Sequence, residues 1–285
     1  MAGPPLSPGL WLVATPIGNL GDITLRAIEV LRTADVLVCE DTRRTRRLLD
    51  LLEVPVAGRP IWSYNDHNAQ ARRPKIMEAL AEGQSVAYAS DAGTPLIADP
   101  GYRLVTEAQA QGYPVNTAPG PSAVIAALSL AGLPTDRFYF AGFLPAKSGP
   151  RRREAEGLKA IPSTLVFFES ARRLAVSLSD LASILGDGRE AAVVREISKV
   201  YQSVHRGRLS DLAAEFSDGA KGEIVVVIGP PEAVAATDDA WQSACEALKV
   251  ALETQSVKDA VRDVAVRFDL PRRAVYTRAL EITRD

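Results

Sequence analysis

Residues 86–101 read VAYASDAGTPLIADPG and set two carboxylates, Asp91 and Asp99, among glycines, prolines and small side chains. Small residues admit a ligand to the main chain and prolines fix a loop's shape in advance, so this composition suits a loop that holds a ligand. A strand-to-helix link needs only about 2 to 6 residues, and this one runs to roughly ten. The plainer alternative is an elaborate connection in which Asp91 caps one turn and Asp99-Pro100-Gly101 forms a second. Arg43, Arg44, Arg46 and Arg47 place four cations within five positions. Forked guanidinium groups suit phosphates, although such a run also makes an ordinary solvated helix face. His67, in the polar cluster Asn65-Asp66-His67-Asn68, is either a general base or a hydrogen-bonding loop residue.

These groups must be positioned by alternating strands and helices. The apolar run Leu10–Ala14 leads through a glycine-bearing loop into a helix over Thr24–Leu31 that Thr24 can cap. Gly18 and Gly21 do not complete the dinucleotide fingerprint. Strands follow at Asp35–Cys39, Ile61–Tyr64, Val86–Tyr88 and Tyr113–Thr117, with helices at Thr42–Leu52, Ala71–Glu82 and Tyr102–Gln111. Pro74 falls in the first turn of the third helix, where its missing N–H is harmless. This βαβα order predicts a parallel, doubly wound sheet whose strand ends point loops into one crevice.

At Pro119-Gly120-Pro121-Ser122-Ala123 a rigid loop feeds a small-residue helix, Val124–Ala131, with Ser122 as its cap. Strands are predicted at Phe138–Gly142, Thr164–Phe168, Ala191–Glu196, Tyr201–Gly207 and Glu223–Ile228, and helices at Arg151–Leu158, Ala171–Leu185 and Leu209–Phe216. The close pair 191–196 and 201–207 reads as a hairpin, which predicts a mixed second sheet. Helices near Trp241–Glu253, Ser256–Phe268 and Pro271–Ile282 end the chain, the last two joined by FDLPRRAVY in the manner of a helix-turn-helix. The division is therefore 1–118, 119–230 and a tail at 239–285.

With 285 residues, 47% hydrophobic and 24% charged, the chain is globular and long enough for two domains. The start MAGPPLSPGLW lacks the features of a signal peptide and no apolar window is long enough to span a membrane, so a cytoplasmic protein is expected. Two cysteines and two histidines offer neither a disulfide framework nor metal-ligand spacing. A net charge of −2 argues against general nucleic-acid binding and leaves any RNA contact to local patches.

TPIGNLGDITLRA, CEDTRRT, SDAGTPLIADPG, PGPSA, FFESARR and KGEIVVVIG, in this order and spacing, resemble the ribosomal RNA small subunit methyltransferase I family of the tetrapyrrole methylase superfamily. The resemblance implies a two-domain α/β fold with S-adenosylmethionine in the interdomain cleft, a helical tail and a homodimer. It further implies 2′-O-methylation of a cytidine in the decoding centre of 16S rRNA, and the mild negative charge favours the assembled small subunit over naked RNA as the substrate. Carried over by position, Pro16, Gly18, Leu20, Asp91, Gly93, Thr94, Ser122, Ala123, Phe168, Lys221 and Gly222 are the implied cofactor residues. The first loop only partly matches the Gly-x-Gly-Pro-Gly-Asp of the porphyrin-type relatives, and Asp91-Ala92-Gly93 stands where they have Asp-Pro.

Methyl transfer from a sulfonium needs in-line placement, and the chain's share is to take up the ribose proton or steady the developing alkoxide. Glu169, Glu196 and Lys199 follow apolar strands and are the candidates, the alternative being structural pairs of Glu169 with Arg172 or Arg173 and of Glu196 with Lys199. Arg43, Arg44, Arg46, Arg47, Arg151, Arg152, Arg153, Arg172 and Arg173 are the expected RNA contacts. Two other readings stay open. A tetrapyrrole methyltransferase would share the fold without needing the arginine clusters, and a non-enzymatic ribosome-assembly factor would need no small-residue loops.

Overall fold

The computed structural model describes residues 6–98, 101–231, 238–268, 270 and 272–283, and not the side chains of 238–240 and 273. The expected turn at Asp99-Pro100 and the residues Asp269 and Pro271 of the tail junction lie outside the described residues. The chain divides into two compact units, 1–230 and 231–285.

The first unit opens with a parallel sheet. Strands β1 (Gly9–Val13), β2 (Val36–Cys39), β3 (Ile61–Ser63), β4 (Ser85–Ala89) and β5 (Val115–Ala118) lie in the order β3-β2-β4-β1-β5. Nearly every residue of β1, β2 and β4 is buried because both faces are covered. Helices α1 (Leu25–Thr33) and α2 (Thr42–Leu51) pack Leu31 and Leu49 on the face of Trp11, Leu37 and Ala87. Helices α3 (Ala69–Ala81) and α4 (Tyr102–Ala110) pack Ile76 and Leu104 on the face of Leu10, Val38 and Tyr88. Chains leaving the neighbouring strands β1 and β4 thus depart to opposite faces, which opens a crevice at their carboxyl ends.

Helix α5 (Ala123–Ala131) leads into the second sheet, with β6 (Phe138–Phe143), α6 (Ser148–Leu158), β7 (Thr164–Ser170), α7 (Leu174–Leu185), β8 (Glu190–Arg195), β9 (Ser203–Arg208), α8 (Leu209–Glu215) and β10 (Glu223–Ile228). Its order is β6-β7-β10-β8-β9; β6 and β7 are parallel and every other pair is antiparallel, the mixed sheet expected from the β8–β9 hairpin. Helices α6, α7 and α8 cover one face through Leu158, Leu178 and Leu212, and α5 covers the other with Val124, Ala127 and Leu128.

Among the boundaries that differ from the sequence reading, three have clear local reasons. Helix α3 starts at Ala69 because Asn65 and Asn68 bond reciprocally and the Asn65 carbonyl accepts from Ala69 N, so Pro74 is interior to the helix rather than in its first turn. Helix α7 starts three residues late because Arg173 N closes a turn onto the Ser170 carbonyl. Strand β9 starts at Ser203 because Glu196 and Ser198 take positive φ, 49° and 65°, and turn 196–202 into a loop.

The second unit packs α9 (Asp238–Thr254), α10 (Val257–Arg267) and α11 (Arg272–Ile282) around Leu248, Val261, Val264 and Val275. Ser256 caps α10 by accepting from Asp259 N at 3.2 Å. Among the described residues no helix is long and apolar enough to cross a membrane.

Candidate active site

The crevice is built by loops that bind one another. Thr15 and Gly93 exchange backbone hydrogen bonds, Ser90 Oγ donates to the Gly93 carbonyl at 2.5 Å, and Thr94 Oγ1 donates to the Pro121 carbonyl at 2.9 Å. The loops after β1, β4 and β5 therefore form one rigid rim, with Ser122 capping α5 beneath it. Gly93 sits at φ +80°, and a Cβ there would come within 3.2 Å of Ile17 Cγ2. Loop 196–202 arrives from the second sheet: Ser198 Oγ donates to Asp22 Oδ2, and the Lys199 stem lies against Gly18, where a Cβ would meet Cγ at 2.4 Å. Four non-glycine residues hold positive φ in these facing loops, Leu96 (72°), Ala98 (63°), Glu196 and Ser198. Each costs about 1–3 kcal/mol, and such strain gathers where a ligand is held.

Between the rims lies a cleft of about 470 Å³ lined by Ile17, Ala92, Ala98, Ala123, Phe143, Phe168, Gly222 and Glu223 among others. Phe168 packs edge-on to Phe140 at 4.9 Å and tilted to Phe143 at 5.4 Å between ring centroids. Small residues on one wall and aromatic rings on the other suit a flat heterocycle, and the volume is that of a small-molecule site. The residues present therefore fit S-adenosylmethionine.

Of the expected cofactor residues, Ala123, Phe168 and Gly222 line this cleft, Gly93 and Thr94 brace its rim, and Gly18 is packed beneath Lys199. Asp91 and Pro16 instead line a recess of about 80 Å³ with Arg44. There Asp91 Oδ1 accepts from Asp41 N at 3.1 Å and Oδ2 lies 3.5 Å from Arg44. Leu20 is exposed in a 3-10 turn, and the Lys221 carbonyl accepts from Arg195 at 2.9 Å. Ile17, Ile197, Phe143 and Ala98 were not anticipated; their only sequence signal is proximity to loop residues that were.

The three proposed catalytic groups are each engaged. Glu169 is 4% exposed; it lines the cleft together with Phe168, and along β7 it alternates with Phe168 to share a side with Leu165 and Phe167. Its carboxylate accepts from Ser170 N at 2.7 Å, Arg173 Nε at 2.9 Å and Ser177 Oγ at 2.5 Å. Glu196 accepts from Glu223 N at 2.8 Å and from Lys199 at 2.9 Å, and these two bonds hold its carboxyl below the ordinary range. Lys199 Nζ lies 2.9 Å from both Glu196 and Glu223; burial works to lower its pKa, but bonds to the two carboxylates outweigh it and raise it.

Arg43, Arg44, Arg46, Arg47, Arg153 and Arg172 are exposed, as an RNA-facing role requires. Arg151 is not available for it. At 2% exposure it bonds Asp180 at 2.6 and 2.8 Å and the carbonyl of Ala146 at 3.0 Å. Arg152 reaches the same Asp180, and Arg173 is tied to Glu169. His67 is exposed, its backbone N donating to Asn65 Oδ1. Among the described residues no group of three or more His, Cys, Asp or Glu could hold a metal ion.

Residues 9–213 match the family model described as Tetrapyrrole (Corrin/Porphyrin) Methylases, and residues 238–283 match the RsmI C-terminal HTH domain. The chain is 50% identical over 280 residues to a ribosomal RNA small subunit methyltransferase I of Mesorhizobium japonicum, covering 98% of this chain and 93% of that one. The protein of that name from Escherichia coli O157:H7 is 40% identical over 95% of this chain and 94% of its own. Among solved structures, a cobalt precorrin-4 methyltransferase superposes with a TM-score of 0.58 at 17% identity, covering 77% of this chain and 94% of its own. A uroporphyrin-III-C-methyltransferase from Thermus thermophilus gives 0.55 at 21%, covering 77% and 93%. At that identity the two show the fold alone. By near full-length identity and by its family models, the chain belongs to the ribosomal RNA small subunit methyltransferase I family, built on the tetrapyrrole methylase fold.

Proposed function

We propose that the protein transfers the methyl group of S-adenosylmethionine to the ribose 2′-oxygen of a cytidine in the decoding centre of 16S rRNA. The observation that carries this reading is the near full-length identity to relatives named for small-subunit rRNA methylation. The cleft beside Phe168 supports it.

When bound, the cofactor supplies the methyl group together with its own leaving group. Ala92, Ala123 and Phe168 would hold the donor, and the Thr15–Gly93 bridge keeps the loop ready for it. Glu169 belongs to the scaffold in this reading, because its oxygens are filled by Ser170, Arg173 and Ser177. Lys199, with its raised pKa, serves as a cation beside the cleft residue Glu223, and Glu196 and Glu223 hold it in place. Catalysis is then chiefly positioning, with the ribose proton passing to solvent.

The exposed Arg43, Arg44, Arg46, Arg47, Arg153 and Arg172 grip RNA, and the tail adds Lys258, Arg272 and Tyr276, which line a groove of about 360 Å³. A net charge of −2 favours a substrate recognised by shape, the assembled small subunit, over naked RNA. A cytoplasmic homodimer with sheet-bearing domains at 1–118 and 119–230 completes the reading. Nucleoside analysis of 16S rRNA from a strain lacking this gene tests it: one 2′-O-methylcytidine should be missing and return on complementation, whereas an unchanged profile contradicts it.

A further inference from the structure

We infer that the cavity at Asp22, Ser198 and Gln202 is the pocket for the target base, and that it selects cytosine over uracil by hydrogen-bond pattern. This rests on the ribose methylation proposed above.

A second cavity, about 520 Å³, is lined by Asp22, Thr24, Ser122, Ser198 and Gln202 among others. Ile17 and Ile197 line both it and the cofactor cleft, so the two spaces meet at this apolar pair. Two compartments that meet at one boundary are what an in-line transfer requires, with the donor on one side and the acceptor on the other. The second cavity is walled mostly by apolar side chains, Ile17, Ala126, Leu130 and Ile197, and its hydrogen-bonding groups include Asp22, Ser198 and Gln202.

The polarity of these groups has a definite sense. Ser198 N donates to Gln202 Oε1 at 2.7 Å, which fixes the amide's orientation and leaves its NH₂ as a donor. Ser198 Oγ donates to Asp22 Oδ2, and among the described residues no donor reaches Oδ1. One residue, held at φ 65°, therefore sets both groups. The cavity presents an anionic acceptor and a neutral donor. Cytosine offers the complement, an exocyclic N4 amino donor beside the acceptors N3 and O2. Uracil offers O4 where the amino group would be, so the Asp22 carboxylate would face a carbonyl oxygen and lose its bond.

The test measures kcat/KM on small subunits carrying either cytidine or uridine at the target position, for wild type, Asp22→Asn and Gln202→Glu, with calorimetric S-adenosylmethionine binding alongside. The wild type should prefer cytidine by about 10- to 100-fold. The amide introduced by Asp22→Asn can donate to O4, so this variant should lower that preference by ~10-fold or more while cofactor affinity stays unchanged. Gln202→Glu puts an acceptor before N3 and should shift the ratio the same way. Equal losses on both substrates, or loss of cofactor binding, would overturn the assignment. Wild-type transfer to cytidine and uridine alike would overturn the pocket and leave the methylation reading standing; transfer to neither would overturn that reading itself.

Discussion

Thr15 and Gly93 exchange two backbone hydrogen bonds, each 3.0 Å, and form an antiparallel bridge beyond the ends of two parallel strands. Thr15 Oγ1 also donates to the Ser90 carbonyl at 3.0 Å, so the loop after β4 is clamped to the loop after β1 at both backbone and side chain. A loop fixed in this way carries little ordering cost when a ligand arrives.

Gly93→Ala attacks that clamp directly. At φ +80° an L side chain costs about 1–2 kcal/mol, and its Cβ would press on Ile17 Cγ2 at 3.2 Å. Calorimetry should show S-adenosylmethionine binding weakened by roughly 10-fold, the equivalent of about 1.4 kcal/mol. Unchanged affinity would mean that the bridge does not shape the cleft.

Glu169→Ala should act on stability. Its buried carboxylate anchors Arg173 and Ser177, and removing one member of a buried pair costs about 3 kcal/mol or more. The urea midpoint should fall accordingly. A variant with an unchanged midpoint, intact cofactor binding and no methylation would instead place Glu169 in the chemistry.

The arginines should separate into two classes. Replacing Arg43, Arg46 and Arg47 together by alanine should weaken binding to small subunits and reduce the slope of log K against log salt by up to ~2. Arg151→Ala should leave that slope alone and destabilise the fold, because it removes the buried cation from Asp180 and leaves that carboxylate to Arg152 and Ser148. A changed slope with Arg151→Ala would return it to the RNA surface.

The Glu196–Lys199 pair should make a pH-flat contribution through neutrality. Glu196 is held below the unfolded carboxylate value of about 4.3, so its contribution is present above that value and is lost as pH falls through the folded one. Lys199 is raised, so its contribution is complete below the unfolded value of about 10.4 and is lost as pH rises through the folded one. The Tm difference between wild type and Glu196→Gln should therefore be constant from about pH 5 to 9 and shrink in stronger acid. A difference that changes between about pH 6 and 8 would mark a group titrating where a general base would.

What the sequence made legible is what short-range pattern controls. Continuous apolar runs such as VLVC and the Ser122 cap located the strands and α5, and the composition of 90–98 located the crevice. Arg151 was read with its neighbours as a basic patch, although Arg151, Ala155 and Leu158 share the buried face of one helix at i, i+4 and i+7. Its partner Asp180 lies 29 residues away and gave no local sign. The Asp22–Ser198 contact spans 176 residues and depends on positive φ at Ser198, a conformation that a glycine would have announced and a serine does not.

The measurement closest to the central claim is methyl transfer from labelled S-adenosylmethionine to small subunits purified from cells lacking this protein, with the product mapped by mass spectrometry of nuclease fragments. The account predicts a single 2′-O-methylcytidine in the decoding region. Transfer to a base rather than a ribose, or no transfer by a protein that binds the cofactor, would contradict it.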